Sequence, residues 1–204
     1  MAANGSSNHR YNALEGGDGS GKTTLSAALA TRLRTAGEEV VEVREPGGTP
    51  LGESVRELLL DSEHVDPWAE VFLFAAQRAQ LAHDVVAPAL ERGAWVISDR
   101  TYYSSIAYQG RARGLGEDTV RRINETGLGG VVPGRVFVIE VDAGTALDRQ
   151  HRPDRIGREG VDFQEAVRSA YRDLAASEPG RVILLDGRDT TDDLVDRVMA
   201  ALGR

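Results

Sequence analysis

The chain has 204 residues, a formal net charge of −8, 41% hydrophobic residues and no cysteine. That length fits one compact domain, since domains cluster at about 100 to 200 residues and a chain of this size can bury a full core. Zinc fingers, iron–sulfur sites, disulfides and thiol nucleophiles are excluded, and the acidic balance argues against a broad electrostatic grip on nucleic acid or anionic lipid.

Met1 to Arg10 is small and polar, lacks the basic start and apolar centre of a secretory signal, and reads as a loose tail before a domain over residues 11–204. Apolar, β-branched runs then alternate with longer stretches of helical period, the pattern of a mostly parallel sheet covered on both faces. A strand is expected near Tyr11 to Glu15, although Asn12 and Ala13 are poor strand formers. Further strands are expected near Glu39 to Arg44, Trp95 to Ser98, Val136 to Val141 and Arg181 to Leu185. Helices are expected over Lys22 to Ala36, Leu51 to Asp61, Pro67 to Arg92 with a kink at Pro88, and Thr101 to Ala112. Four more follow over Asp118 to Thr126, Gly144 to Gln150, Val161 to Ser177 and Thr191 to Leu202. The expected fold is therefore α/β, a five-stranded parallel sheet with helices on both faces. The longest apolar runs, such as Val136 to Ile139, fall far short of the ~20 residues of a membrane helix. A cytoplasmic protein is the expectation.

Between the first strand and the first helix, Gly16-Gly17-Asp18-Gly19-Ser20-Gly21-Lys22-Thr23 fits the phosphate-loop pattern G-x-x-x-x-G-K-[ST], with Thr24 following. The glycines let the backbone wrap a phosphate chain with N–H groups exposed, and the helix adds its positive end. Lys22 then reaches the β- and γ-phosphates and the Thr23 hydroxyl takes a place on Mg²⁺. Of the 24 basic residues Lys22 is the only lysine, at a position where arginine's planar fork cannot replace a compact ammonium. Asp99-Arg100 follows the apolar run Trp95 to Ile97, so both emerge at the carboxyl edge of a parallel sheet, where ligands collect. Asp99 is a candidate Mg²⁺ residue and Arg100 a candidate for neutralising a phosphoryl oxygen. The motif identifies a nucleoside triphosphate and leaves the acceptor open.

Further blocks carry a resemblance. Leu14-Glu15-Gly16 to Thr24, Arg44-Glu45-Pro46-Gly47-Gly48-Thr49-Pro50-Leu51-Gly52-Glu53, Leu73-Phe74-Ala75-Ala76-Gln77-Arg78-Ala79-Gln80, and Asp99-Arg100 with Ser104-Ser105 and Ala107-Tyr108-Gln109-Gly110 occur in this order. Together with Asp154-Arg155-Ile156 and Asp162-Phe163 they resemble bacterial thymidylate kinases, a phosphate-loop family of nucleoside monophosphate kinases. The resemblance implies transfer of the γ-phosphoryl group of ATP to dTMP with Mg²⁺, and a homodimer. It implies that Phe74 stacks on the base and Arg78 bonds its O4, that Asp18 faces the sugar 3′-hydroxyl and the phosphates, and that Tyr108 crowds the 2′ position. Ser104, Ser105 and Gln109 match positions near the base and its N3 edge. A lid near residues 149–160 carries Arg149, Arg152, Arg155 and Arg158. Because the phosphate loop has Gly19 where some relatives have arginine, the resemblance implies a catalytic arginine from the lid, Arg155 first and Arg152 second. Two alternatives stand beside this reading. One is a kinase for another nucleoside monophosphate; the other is a nucleotide-dependent switch that transfers no phosphate to a nucleotide.

Overall fold

The computed structural model describes residues 8–141 and 155–204. The strands are β1 (Tyr11–Glu15), β2 (Val40–Arg44), β3 (Trp95–Asp99), β4 (Arg135–Glu140) and β5 (Val182–Asp186). They form one sheet in the order β2-β3-β1-β4-β5, with each neighbouring pair parallel. Each expected strand is present to within about one residue. Asn12 and Ala13 are fully buried in β1, where ladder pairing on both sides overrides their weak propensity.

Around the sheet lie α1 (Lys22–Thr35), α2 (Pro50–Asp61), α3 (Pro67–Leu81), α4 (Ala87–Glu91), α5 (Tyr102–Ser105), α6 (Glu117–Leu128), α7 (Val161–Ser177) and α8 (Thr191–Ala201). Side chains alternate across the strands as a period of two demands. Leu14, Ile97, Phe137 and Ile139 pack with Leu25, Leu29 and Leu33 of α1 and Leu194 and Val198 of α8. Ala13, Val136 and Val138 face the other way, onto Tyr102, Tyr103, Val167 and Tyr171. Both faces are therefore covered, as a parallel sheet requires.

Two expected helices are interrupted. The stretch from Pro67 does not run unbroken to Arg92; it passes through a π-helical turn, Ala82–Val86, before α4. Pro88 lacks an N–H and its ring crowds the carbonyl four residues back, and the wider turn just before it absorbs that conflict. The second interruption follows α5, where Ile106–Ala112 is π-helical. The helix expected over Gly144 to Gln150 lies outside the described residues. Asn8 and Arg10, inside the expected tail, are held. Asn8 Nδ2 donates to Val132 O at 3.1 Å, and Arg10 pairs with Glu38 at 2.9 Å.

Candidate active site

The phosphate loop links β1 to α1. Its first glycine, Gly16, has φ 132°, and a Cβ there would lie 2.5 Å from the Ile139 carbonyl oxygen, so both conformation and space demand glycine. Gly21 (φ 96°) turns the chain into the helix. Lys22 Nζ donates to the carbonyls of Gly16 at 3.1 Å and Gly17 at 2.7 Å, with Ser20 Oγ 3.4 Å away. Burial, followed by the nearby Arg100 guanidinium, pushes its ammonium down to about 8. Thr23 Oγ1 donates to Asp99 Oδ2 at 2.7 Å, which brings together the two candidate metal residues. Two hard oxygen donors side by side at the mouth of the phosphate loop fit a Mg²⁺ ion.

Arg100 directly follows β3 and adopts φ 73°, the left-handed region that a non-glycine residue enters at a cost of order 1–3 kcal/mol. Its backbone N donates to Leu14 O at 2.9 Å and its carbonyl accepts from Ser98 Oγ, so the turn is held at both ends. The strain sends the guanidinium back over the phosphate loop. There Nη1 donates to Gly16 O at 3.1 Å and Ser104 Oγ at 3.0 Å, while Nη2 pairs with Asp18. Although burial pushes upward, Arg100 and Lys22 hold the Asp18 carboxyl below the ordinary carboxylate range. The Tyr108 ring lies 5.4 Å from the Arg100 guanidinium carbon, and burial pushes its hydroxyl up to about 12.

Glu15 braces this centre from beneath. Its fully buried carboxylate accepts from Thr101 N at 2.7 Å, Thr101 Oγ1 at 2.9 Å, Ser104 N at 3.2 Å, Ser104 Oγ at 2.6 Å and Tyr171 OH at 2.8 Å. One side chain at the end of β1 thus fixes the start of α5 and one face of α7.

On α3, Phe74 and Arg78 face inward one turn apart, with the guanidinium carbon 6.0 Å from the ring centroid. Arg78 is 2% exposed, and its charge is answered by Glu45 from the loop after β2. It also donates to Asn124 of α6, to Ser105 Oγ at 3.3 Å and to Thr101 O at 3.3 Å. A cavity of about 890 Å³ joins Lys22, Thr23 and Thr24 to Phe74, Arg78, Ser105, Tyr108 and Gln109, with Asp18, Asp99 and Arg100 between. The phosphate loop and a pocket lined by Phe74 and Arg78 therefore open onto one space, with Arg100 between them.

The sequence model described as thymidylate kinase matches residues 14–198. The thymidylate kinase of Deinococcus radiodurans is 44% identical over 193 residues, covering 93% of this chain and 94% of that protein. The chain belongs to the thymidylate kinase family. The thymidylate kinase of Thermosipho melanesiensis is 42% identical over 188 residues, covering 91% of this chain and 94% of that protein. The crystal structure of thymidylate kinase from Ehrlichia chaffeensis superposes with a TM-score of 0.79 at 31% identity, covering 95% of this chain and 98% of that one. The five-stranded α/β fold read from the sequence is this family's fold.

Other expected site residues of the family pattern fall at distinct places. Ser105 lies beside Arg78, whereas Ser104 lies between Glu15 and Arg100. Arg155 is held on α2 and α3: Nε donates to Leu59 O at 3.0 Å and Nη2 to Glu70 Oε2 at 2.6 Å. Arg149 and Arg152 lie outside the described residues. Sequence reasoning missed Glu15, Glu45, Glu70 and Asn124. The spacing of positions 70, 74 and 78 puts Glu70 on the face of Phe74 and Arg78, although its partners at 109, 113 and 155 leave no mark in the sequence. Asn124 had no readable signal, because its partner lies 46 positions away. No helix among the described residues is long and apolar enough to cross a membrane.

Proposed function

We propose that this chain transfers the γ-phosphoryl group of ATP to dTMP, giving ADP and dTDP, in the cytoplasm. The observation that carries the reading is the single cavity joining the phosphate loop to the Phe74–Arg78 pocket, with Arg100 and Asp18 between them. An oxygen of the dTMP phosphate attacks the γ-phosphorus as the bond to the β–γ bridging oxygen breaks, and the electron pair leaves with ADP. The attacking monoester is already ionised near neutral pH, so no side chain has to remove a proton. Catalysis then rests on alignment and charge neutralisation.

Lys22 and the loop N–H groups hold the triphosphate, and Arg100 bridges towards the acceptor phosphate, its strained turn aiming it in advance. Mg²⁺, held by Thr23 and Asp99, would neutralise phosphate charge. Asp18 holds Arg100 and receives the sugar 3′-hydroxyl, while Tyr108 fills the space a 2′-hydroxyl would need. Phe74 and Arg78 take the base. We assign Arg155 and Arg152 to closure over the transferring group; Arg155 must leave Glu70 to reach it. A second copy of the chain is proposed on the α2–α3 face, where Leu58, Trp68 and Phe72 are exposed.

The test is ADP release followed with and without dTMP, then with a panel of nucleoside monophosphates. Turnover should depend on dTMP and form dTDP. ATP hydrolysis indifferent to dTMP, with no dTMP binding, would leave a nucleotide switch in its place.

A further inference from the structure

Glu70 is fully buried on α3, one turn before Phe74, and contacts neither phosphate in the transfer just described. Its carboxylate gathers three side chains from two other segments. Gln109 Nε2 donates to Oε1 at 2.7 Å; Arg113 approaches both oxygens at 3.3 Å, through Nε and Nη2; Arg155 Nη2 donates to Oε2 at 2.6 Å. Arg113 is itself anchored by Glu159 at 2.6 Å and lies 5.0 Å over the Phe163 ring. Arg113 keeps this carboxylate in place from both oxygens, joined by Arg155 until it leaves to close over the phosphates, and a carboxylate accepts only. The Gln109 amide therefore has one allowed orientation, with its NH₂ on Glu70 and its carbonyl Oε1 on the opposite branch.

We infer that Glu70 is a positioning residue for base choice: by holding the Gln109 NH₂ it presents Gln109 Oε1 to the base as an acceptor. This rests on the reading of Phe74 and Arg78 as the base pocket. Among the described residues, four of the five N–H groups of Arg78 have partners, which leaves one on Nη2 for the ligand. The pocket then offers a donor from Arg78 beside an acceptor from Gln109. A base with a carbonyl at C4 and a proton on N3, as thymine has, matches both. Cytosine reverses both, with an amino group at C4 and a bare N3. It would set donor against donor and acceptor against acceptor, and unpaired polar groups in a buried site are what gives such sites their discrimination.

The substitution Glu70→Gln isolates the idea. With Arg155 docked, as it is when the base enters, the amide oxygen stays on the side where Arg113 Nη2 and Arg155 both donate rather than on the side of Arg113 Nε alone, which turns the new NH₂ towards Gln109. Gln109 must then turn its oxygen to meet that NH₂ and swing its own NH₂ into the pocket. The N3 side becomes a donor, suited to cytosine.

The experiment measures kcat/KM for dTMP and dCMP on the wild type, Glu70→Gln, Gln109→Leu and the double variant, with thermal melting as a control on folding. We expect Glu70→Gln to shift the ratio of dTMP to dCMP at least tenfold towards dCMP, and the same change made on Gln109→Leu to leave the ratio where it was. A structural role alone would lower both substrates together, and an unchanged ratio in folded Glu70→Gln overturns the inference. Should Glu70→Gln fail to fold, Glu70→Asp serves: its shorter carboxylate should loosen the amide and lower the ratio, and a ratio kept intact overturns the inference equally. A wild type that phosphorylates neither nucleotide defeats the kinase reading itself, a separate outcome.

Discussion

In the proposed mechanism Lys22 holds the triphosphate, and its setting makes its behaviour predictable. It is 7% exposed, enclosed by the carbonyls of Gly16 and Gly17, and a guanidinium there would collide with the loop it is meant to complete. Lys22→Arg should therefore lower kcat by about 100-fold or more, the scale of losing one preorganised electrostatic contact. Steady-state kinetics check this, and near-wild-type turnover would remove the phosphate-loop mechanism. The same enclosure gives a pH signature. With its ammonium pushed down to about 8, chiefly by burial, the free protein loses the cation as pH rises through that value. The protonated form is the one that attracts a triphosphate, so kcat/KM for ATP should fall above about pH 8. Bound phosphates draw the proton back, so kcat should hold to higher pH, because kcat reports the bound complex. A kcat/KM profile flat to about pH 9.5 would show that the lysine does not titrate there.

At the scale of elements, the acceptor pocket is set by how closely the π-helical segment 106–112 approaches α6. Gly110 lies in that segment, and a Cβ on it would sit 2.9 Å from Glu117 Cα and 3.3 Å from Glu117 N. Backbone cannot move aside as a side chain can. Gly110→Ala should cost about 1 to 3 kcal/mol, the range for overpacking. It should also raise the KM for dTMP more than that for ATP, since Tyr108 and Gln109 precede Gly110 and Asn124 belongs to α6. Urea denaturation with kinetics on both nucleotides measures the pair of effects; equal change in both constants would mean that the shift is not confined to the acceptor side. This arrangement also marks the limit of sequence reading. The strands and helix positions were legible because hydrophobic period reports burial directly. Phe74 and Arg78 were singled out by the resemblance, and their spacing of four residues, one turn, let them face one pocket. The π-helical turns were not legible, since segments of 5 and 7 residues are too short to show a changed period inside a longer helical stretch. The Glu15 and Glu70 networks were hidden for another reason. Each joins segments tens of residues apart, and an isolated glutamate reads as a solvated charge until its partners are in place.

At the scale of the whole molecule, a chain of net charge −8 must hold two nucleotide anions. It does so by gathering Lys22, Arg78 and Arg100 along one cavity, with Asp18 and Glu45 holding the two arginines in place. The acceptor half of that cavity hangs on α3, which points Glu70, Phe74 and Arg78 inward and leaves Trp68 and Phe72 outward, their rings 6.3 Å apart. Beside them on α2 Leu58 is 54% exposed, and Phe72 itself is 57% exposed. An apolar face on the outer side of the acceptor helix is where a second copy would brace the base pocket while removing that surface from water. Phe72→Glu places a charge in the middle of the face and should convert a dimer to monomers in sedimentation equilibrium. Because α3 would lose its outer support, the KM for dTMP should rise severalfold while that for ATP, bound on α1, changes little. A wild-type chain that sediments as a monomer at assay concentration would remove the dimer. A variant that stays dimeric would put the interface on another face, and a monomer with both constants unchanged would separate assembly from the acceptor site.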